Sequence, residues 1–193
     1  MKDYPFIWTS SLNEYFNDDK TARNVILIIS SLFIDILMFT GLYRFVRYGT
    51  TWRLIIAMSL FYSVRFIVQH LWYVEYPEGY NWGYPGFFSV FVPYGQTADF
   101  FYSGHVGICM MFFLEFYAVG WYIWSYYALF TLVFEAFVLI ILRAHYTMDI
   151  LAGVVFAHYF WILSEKYSYT VDWWLFRIPL GKRMAKERSE LSE

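Results

Sequence analysis

From Asn24 to Lys166 one long apolar stretch follows another, and in lipid such a stretch has a single open-ended solution. The hydrocarbon holds no water, so every backbone N–H and C=O must be paired inside its own segment. A run of about 20 apolar residues therefore has to be an α-helix. Residues 24–46, 52–72, 100–121, 122–142 and 147–166 meet that length. They predict an all-α polytopic membrane helical bundle of about five spans, with 24–166 as its transmembrane domain. A content of 60% hydrophobic and 16% charged residues agrees, because a soluble domain of this size carries more charge.

The stretches between the spans differ in kind. Residues 1–23 read either as a tail or as an interfacial helix with Phe6, Ile7, Trp8, Leu12, Tyr15 and Phe16 on its apolar side. Residues 73–99 carry Pro77, Gly79, Gly83, Pro85, Gly86, Pro93 and Gly95 among many aromatics, which reads as a turn-rich lid rather than a span. Its aromatics form either an interfacial belt or a cage for a quaternary ammonium. Residues 167–193 are a basic C-terminal tail. The 100–121 and 122–142 spans are joined by almost nothing, so they form a hairpin that returns the chain to the membrane face it left.

Basic residues give the orientation. Arg44, Arg47 and Arg53 share one face with Lys182, Arg183, Lys186 and Arg188 of the tail, against Lys2, Lys20, Arg23 and Arg143 on the other. The positive-inside rule then makes the C-terminus cytoplasmic.

Several function classes drop out. The net charge of -2 offers nothing to nucleic acid. Cys109, the single cysteine, lies inside a span and reads as packing. Cys-x-x-Cys pairs and His-x-x-x-His spacings are absent, so no metal or other cofactor is expected. The first twenty residues, with Asp3, Glu14, Asp18 and Asp19, do not read as a cleaved signal.

What remains is a set of ionisable residues at the mouths of apolar runs, where charge is costly without a partner or a task. His145 and Asp149 are four apart, on one face of a helix that begins near Thr147, so the carboxylate can hold one imidazole nitrogen and free the other. His105 follows Ser103 and Gly104, whose amides at a helix start suit an anion. Two histidines placed this way suggest transfer of a phosphoryl-type group through a phosphohistidine, the second histidine serving as acid and base. Asp35 interrupts the first span and needs a partner on another helix, for which Arg65 is the candidate. Glu115 and Glu135 read as interhelical hydrogen-bonding or protonated acids, and His70 and His158 as packed side chains.

Ser103-Gly104-His105 followed by His145-x-x-x-Asp149 in a multispan chain resembles the type-2 phosphatidic acid phosphatase superfamily. The fuller pattern, Asp99-x-x-Tyr102-Ser103-Gly104-His105 with His145-Tyr146-Thr147-x-Asp149, is similar to its branch of sphingomyelin synthases and related phospholipid headgroup transferases. Plant phosphatidylcholine:diacylglycerol cholinephosphotransferases belong to that branch and are similar around Tyr102 to Val106. The resemblance covers roughly Arg65 to Ser164. The phosphatases' Lys-x6-Arg-Pro motif has no counterpart, since the chain has no Arg-Pro and no lysine between Lys20 and Lys166.

The resemblance implies a headgroup transferase with His105, His145 and Asp149 as catalytic residues. It moves phosphocholine or phosphoethanolamine from phosphatidylcholine or phosphatidylethanolamine to ceramide or diacylglycerol. Asp99, Arg65, Ser103 and Gly104 become candidate substrate contacts: Asp99 either caps the third span or meets a cationic headgroup, and Arg65 either binds phosphate or neutralises Asp35. A lumenal or exoplasmic site in the endoplasmic reticulum, Golgi or plasma membrane is implied, with homo-oligomerisation left open. The rival readings are a lipid phosphate phosphatase and a non-catalytic lipid-binding relative.

Overall fold

The computed structural model describes residues 2–95 and 100–174; Asp99 and the tail cations Lys182, Arg183, Lys186 and Arg188 lie outside the described residues. Within them the chain forms α1 (Tyr4–Trp8), α2 (Ser10–Asp18), α3 (Lys20–Tyr48), α4 (Arg53–Leu71), α5 (Gly104–Ala118), α6 (Tyr122–Ile141) and α7 (Thr147–Trp174), with no strand. The protein is all-helical, and α3, α4, α6 and α7 are long and apolar enough to cross a membrane.

α5 is shorter than the hydropathy predicts, with 15 residues. That is about 22 Å of helix against a hydrocarbon core of about 30 Å. Its start is delayed to Gly104 because Phe101 takes a φ of +125° and Ser103 is extended. A short helix is tolerated here because its surroundings are protein: α5 packs against α6 and α7 most heavily and also meets α3 and α4. The bundle is thus built round α5, whose Val106, Cys109, Met111 and Phe116 are fully buried. α7, by contrast, runs eight residues past the expected boundary at Lys166, to Trp174.

Two backbone turns decide where the chain ends up. After α5, Gly120 at φ +77° donates to the Tyr117 carbonyl and Trp121 donates to that of Phe116, which together close a Schellman motif. This turn makes the expected α5–α6 hairpin. After α6 the same motif recurs, with Ala144 N–H on the Leu139 carbonyl and Arg143 N–H on that of Ile140. Here the left-handed position is held by Arg143, at φ +55°, instead of glycine.

The buried acids join helices. Glu115 accepts from Arg53 Nε at 2.8 Å and from Trp161 Nε1 at 3.3 Å, which ties α4, α5 and α7 together near the ends remote from the histidines. Glu135 accepts from Ser30 Oγ at 2.8 Å, linking α6 to α3. Asp35 is not matched with Arg65, the expected partner. It accepts from Ser89 Oγ at 2.9 Å and from the amides of Val90 and Phe91, so it anchors the 72–95 segment to α3. A segment without regular structure has backbone donors to satisfy, and the short Asp35 side chain reaches three of its polar groups at once.

Candidate active site

α5 and α7 meet at their N-termini. Ser103 caps α5, its carbonyl accepting from the Gly107 amide, while its own N–H donates to the Asp149 carbonyl at 2.9 Å. The approach is close because Gly153 of α7 has no side chain; a Cβ there would lie 2.8 Å from Ser103 O and 3.2 Å from Ser103 N. The anion cradle expected from the Ser103 and Gly104 amides is therefore reduced. The Ser103 amide is already engaged, while the Ser103 hydroxyl is buried without a hydrogen-bond partner.

His145 sits in the turn between α6 and α7 and is 3% exposed. Its Nδ1 is 3.4 Å from Asp149 Oδ2, and the same nitrogen is buried without a hydrogen-bond partner. The separation is that of an ion pair, and the angles are not those of a hydrogen bond. Asp149 Oδ2 also accepts from the Tyr146 amide at 3.0 Å, as the third residue of α7 reaching back to the residue before the helix. This carboxylate therefore caps its own helix, with the His145 imidazole beside it but not hydrogen-bonded to it. Phe100 stands edge-on to His145, with centroids 6.0 Å apart.

His105, in the first turn of α5, is half-buried and packs its ring against Trp82 at 5.4 Å. Forty residues apart in sequence, the two histidines line one small cavity with Tyr80, Trp82, Pro93, Leu139 and Ala144. His105 and Pro93 also line a neighbouring cavity of about 330 Å³. Its walls are mostly apolar, with Ile34 and Met38 from α3, Met58 from α4 and Ile108 from α5. Arg65 lines the polar end of this cavity beside Gly104, and its Nε donates to the Tyr102 carbonyl at 3.1 Å. α3 and α4 hardly touch one another, so the apolar cavity lies in a cleft between two membrane-crossing helices.

Of the residues singled out in the sequence, His105, His145, Asp149, Ser103, Gly104 and Arg65 come together at one end of the bundle. Asp99 lies outside the described residues. His70, which hydrogen-bonds the Phe66 carbonyl within its own helix, and the exposed His158 line neither cavity. Trp82 and Pro93 escaped the sequence reading, because a turn-rich aromatic stretch carries no period that says which of its rings faces inward.

The AtPDCT1/2 family model matches residues 2–166 of the chain. No curated protein and no solved structure matches it.

Proposed function

The chain belongs to the AtPDCT1/2 family, the phosphatidylcholine:diacylglycerol cholinephosphotransferase-like family of the branch related to type-2 phosphatidic acid phosphatases, and from this we propose a double-displacement mechanism on two histidines. Membership implies a membrane cholinephosphotransferase that moves phosphocholine between phosphatidylcholine and diacylglycerol. The observation that carries the mechanism is the single cavity lined by both His105 and His145, with Asp149 behind the latter.

In the first half-reaction His145 Nε2 attacks the phosphorus of phosphatidylcholine. The P–O bond to the glycerol breaks, and His105 gives its proton to the departing diacylglycerol oxygen. The phosphocholine now sits on an imidazolium, whose charge the Asp149 carboxylate stabilises at ion-pair distance. In the second half-reaction another diacylglycerol gives its hydroxyl proton to His105 and attacks the same phosphorus. The P–N bond breaks and a new phosphatidylcholine leaves. Arg65, the Gly104 amide and the Ser103 hydroxyl are suited to the charge on the phosphoryl oxygens. The apolar cleft between α3 and α4 suits the acyl chains. On the resemblance alone, Asp99 remains the candidate contact for the choline cation.

Ceramide carries the same kind of hydroxyl above two apolar chains, and phosphoethanolamine the same phosphate, so both extend the substrate class; family membership favours choline and diacylglycerol. The test is purified protein in mixed micelles with headgroup-labelled phosphatidylcholine and phosphatidylethanolamine, offered labelled diacylglycerol and ceramide. Choline label entering a new glycerolipid is the expected result, lost in His145→Ala. Label found only in water-soluble product would make the protein a hydrolase and sink the proposal.

The proposed orientation has the histidine end lumenal or exoplasmic, in the endoplasmic reticulum or Golgi, and the C-terminus cytoplasmic. Glu78 and Tyr48 are exposed near opposite ends of the bundle, and Cys109 is buried. In sealed vesicles of cytoplasmic-side-out orientation, an impermeant maleimide is expected to label Tyr48→Cys and to spare Glu78→Cys until detergent is added. The reverse pattern would invert the topology.

A further inference from the structure

The turn that carries His145 is held from outside by residues 3–13. Asp3 accepts from the Thr147 amide and from Thr147 Oγ1, both at 2.8 Å, so a residue 144 positions away caps the start of α7. Arg143 donates to the Phe6 carbonyl and to Thr9 Oγ1, and its guanidinium lies 4.3 Å from the Phe6 ring centroid. Phe6 stacks on Tyr146 at 5.6 Å. Asn13, 6% exposed, donates to the Ile141 carbonyl at 2.8 Å and to that of Gly79 at 3.1 Å. Every residue gripped from 141 to 147 flanks His145.

Arg143 adds a second, independent observation. At φ +55° it holds the left-handed position of a Schellman turn, where glycine sits without strain and most L side chains cost about 1 kcal/mol or more. Strain kept at such a position marks a site where the side chain itself is required. That side chain reaches α1. Burial pushes the Arg143 pKa down, while the charge of Asp3 beside it acts in the opposite direction. The family match also begins at residue 2, so this segment lies inside the unit the family shares.

We propose that residues 2–18 form a positioning strap for the catalytic turn, with Asp3 and Arg143 as its positioning residues. The strap sets where His145 stands relative to His105 and Asp149 without touching the reacting phosphate. This rests on the reading of His145 as nucleophile.

Arg143→Gly tests it sharply, because the substitution removes the strap contact and relieves the backbone strain together. Asp3→Ala removes the other anchor. For each variant of the full chain in detergent, four quantities are read: kcat, KM for phosphatidylcholine, the melting temperature, and amide hydrogen exchange of the 143–150 peptide. We expect kcat to fall about 10-fold to 100-fold from misplacement of the nucleophile. KM should be unchanged, the melting temperature within about 2 °C, and exchange of 143–150 faster. Asp3→Glu should recover part of the lost rate. A raised KM at unchanged kcat would make Arg143 a substrate contact and overturn the proposal. So would a fall in melting temperature that accounts for the lost activity, or unaltered exchange. Faster exchange in these variants, together with His145→Ala retaining full transfer, would leave the strap standing and refute the nucleophile assignment instead.

Discussion

His145→Ala is expected to abolish phosphocholine transfer with every donor, whereas His105→Ala is expected to keep the first half-reaction when the donor's leaving group needs no proton. The two histidines line one cavity but hold different stations: His145 is almost wholly buried with Asp149 at 3.4 Å, and His105 is half-buried against Trp82. Loss of a covalent nucleophile removes the reaction path itself, a loss of roughly 10⁴-fold or more. Loss of the general acid costs about 10²-fold to 10⁴-fold, and only while the departing diacylglycerol alkoxide requires protonation. When a phosphocholine ester of p-nitrophenol is attacked, its P–O bond breaks and p-nitrophenolate departs as a stable anion without protonation. Its burst of p-nitrophenol should therefore survive in His105→Ala and vanish in His145→Ala. Phosphocholine should remain bound to the His105→Ala chain, since no base activates the acceptor. Both variants dead with this ester, or both active, would remove the division of roles.

The second large effect is expected at a residue with no side chain. Gly153→Ala adds one methyl group, and alanine would by itself favour the helix by about 1 kcal/mol. The sign is decided by what the methyl meets: Ser103 O at 2.8 Å and Ser103 N at 3.2 Å, both backbone. A flexible side chain could swing away, but this backbone can yield only by separating α5 from α7. Overpacking of that kind costs about 1–3 kcal/mol. The separation also stretches the hydrogen bond from Ser103 N–H to the Asp149 carbonyl, and with it the register between His105 and the His145 turn. A misplacement of about 1 Å is enough for a 10²-fold loss of rate. Gly153→Ala should thus melt earlier in detergent and turn over about two orders of magnitude more slowly. Wild-type melting and turnover would mean that the two helix starts do not press on each other.

Part of the protein could be read without coordinates because lipid removes the alternatives. Apolar runs the length of a bilayer must be helices, and the near absence of linker at Val119–Trp121 must make a hairpin, which Gly120 closes. The local spacing of His145 and Asp149, four apart at a helix start, is a property of the helix alone. Ser103-Gly104-His105 announced a helix start in the same way, and of the two amides expected to meet an anion there, that of Ser103 is engaged by the Asp149 carbonyl.

Other features carried no such local signal. Hydropathy counts Phe100 to Ser103 as span because it registers apolar side chains and not the left-handed backbone at Phe101, so α5 came out shorter than expected. Opposite charge is the partner that a carboxylate in an apolar run suggests, yet Asp35 meets a hydroxyl and two amides of the 72–95 segment, since any backbone donor within reach can answer a carboxylate. The reach of Asp3 to Thr147 spans 144 positions and obeys no period.

The sequence by itself determined that the chain is a helical membrane protein with His105 and His145 at the ends of apolar runs, because bilayer thickness and helix periodicity act within single segments. Only the tertiary structure decided that the two histidines share one cavity, that a glycine sets the approach of their helices and that residues 3–13 grip the His145 turn. These depend on which surfaces meet across the bundle, and packing between distant segments leaves no mark in the spacing of either one.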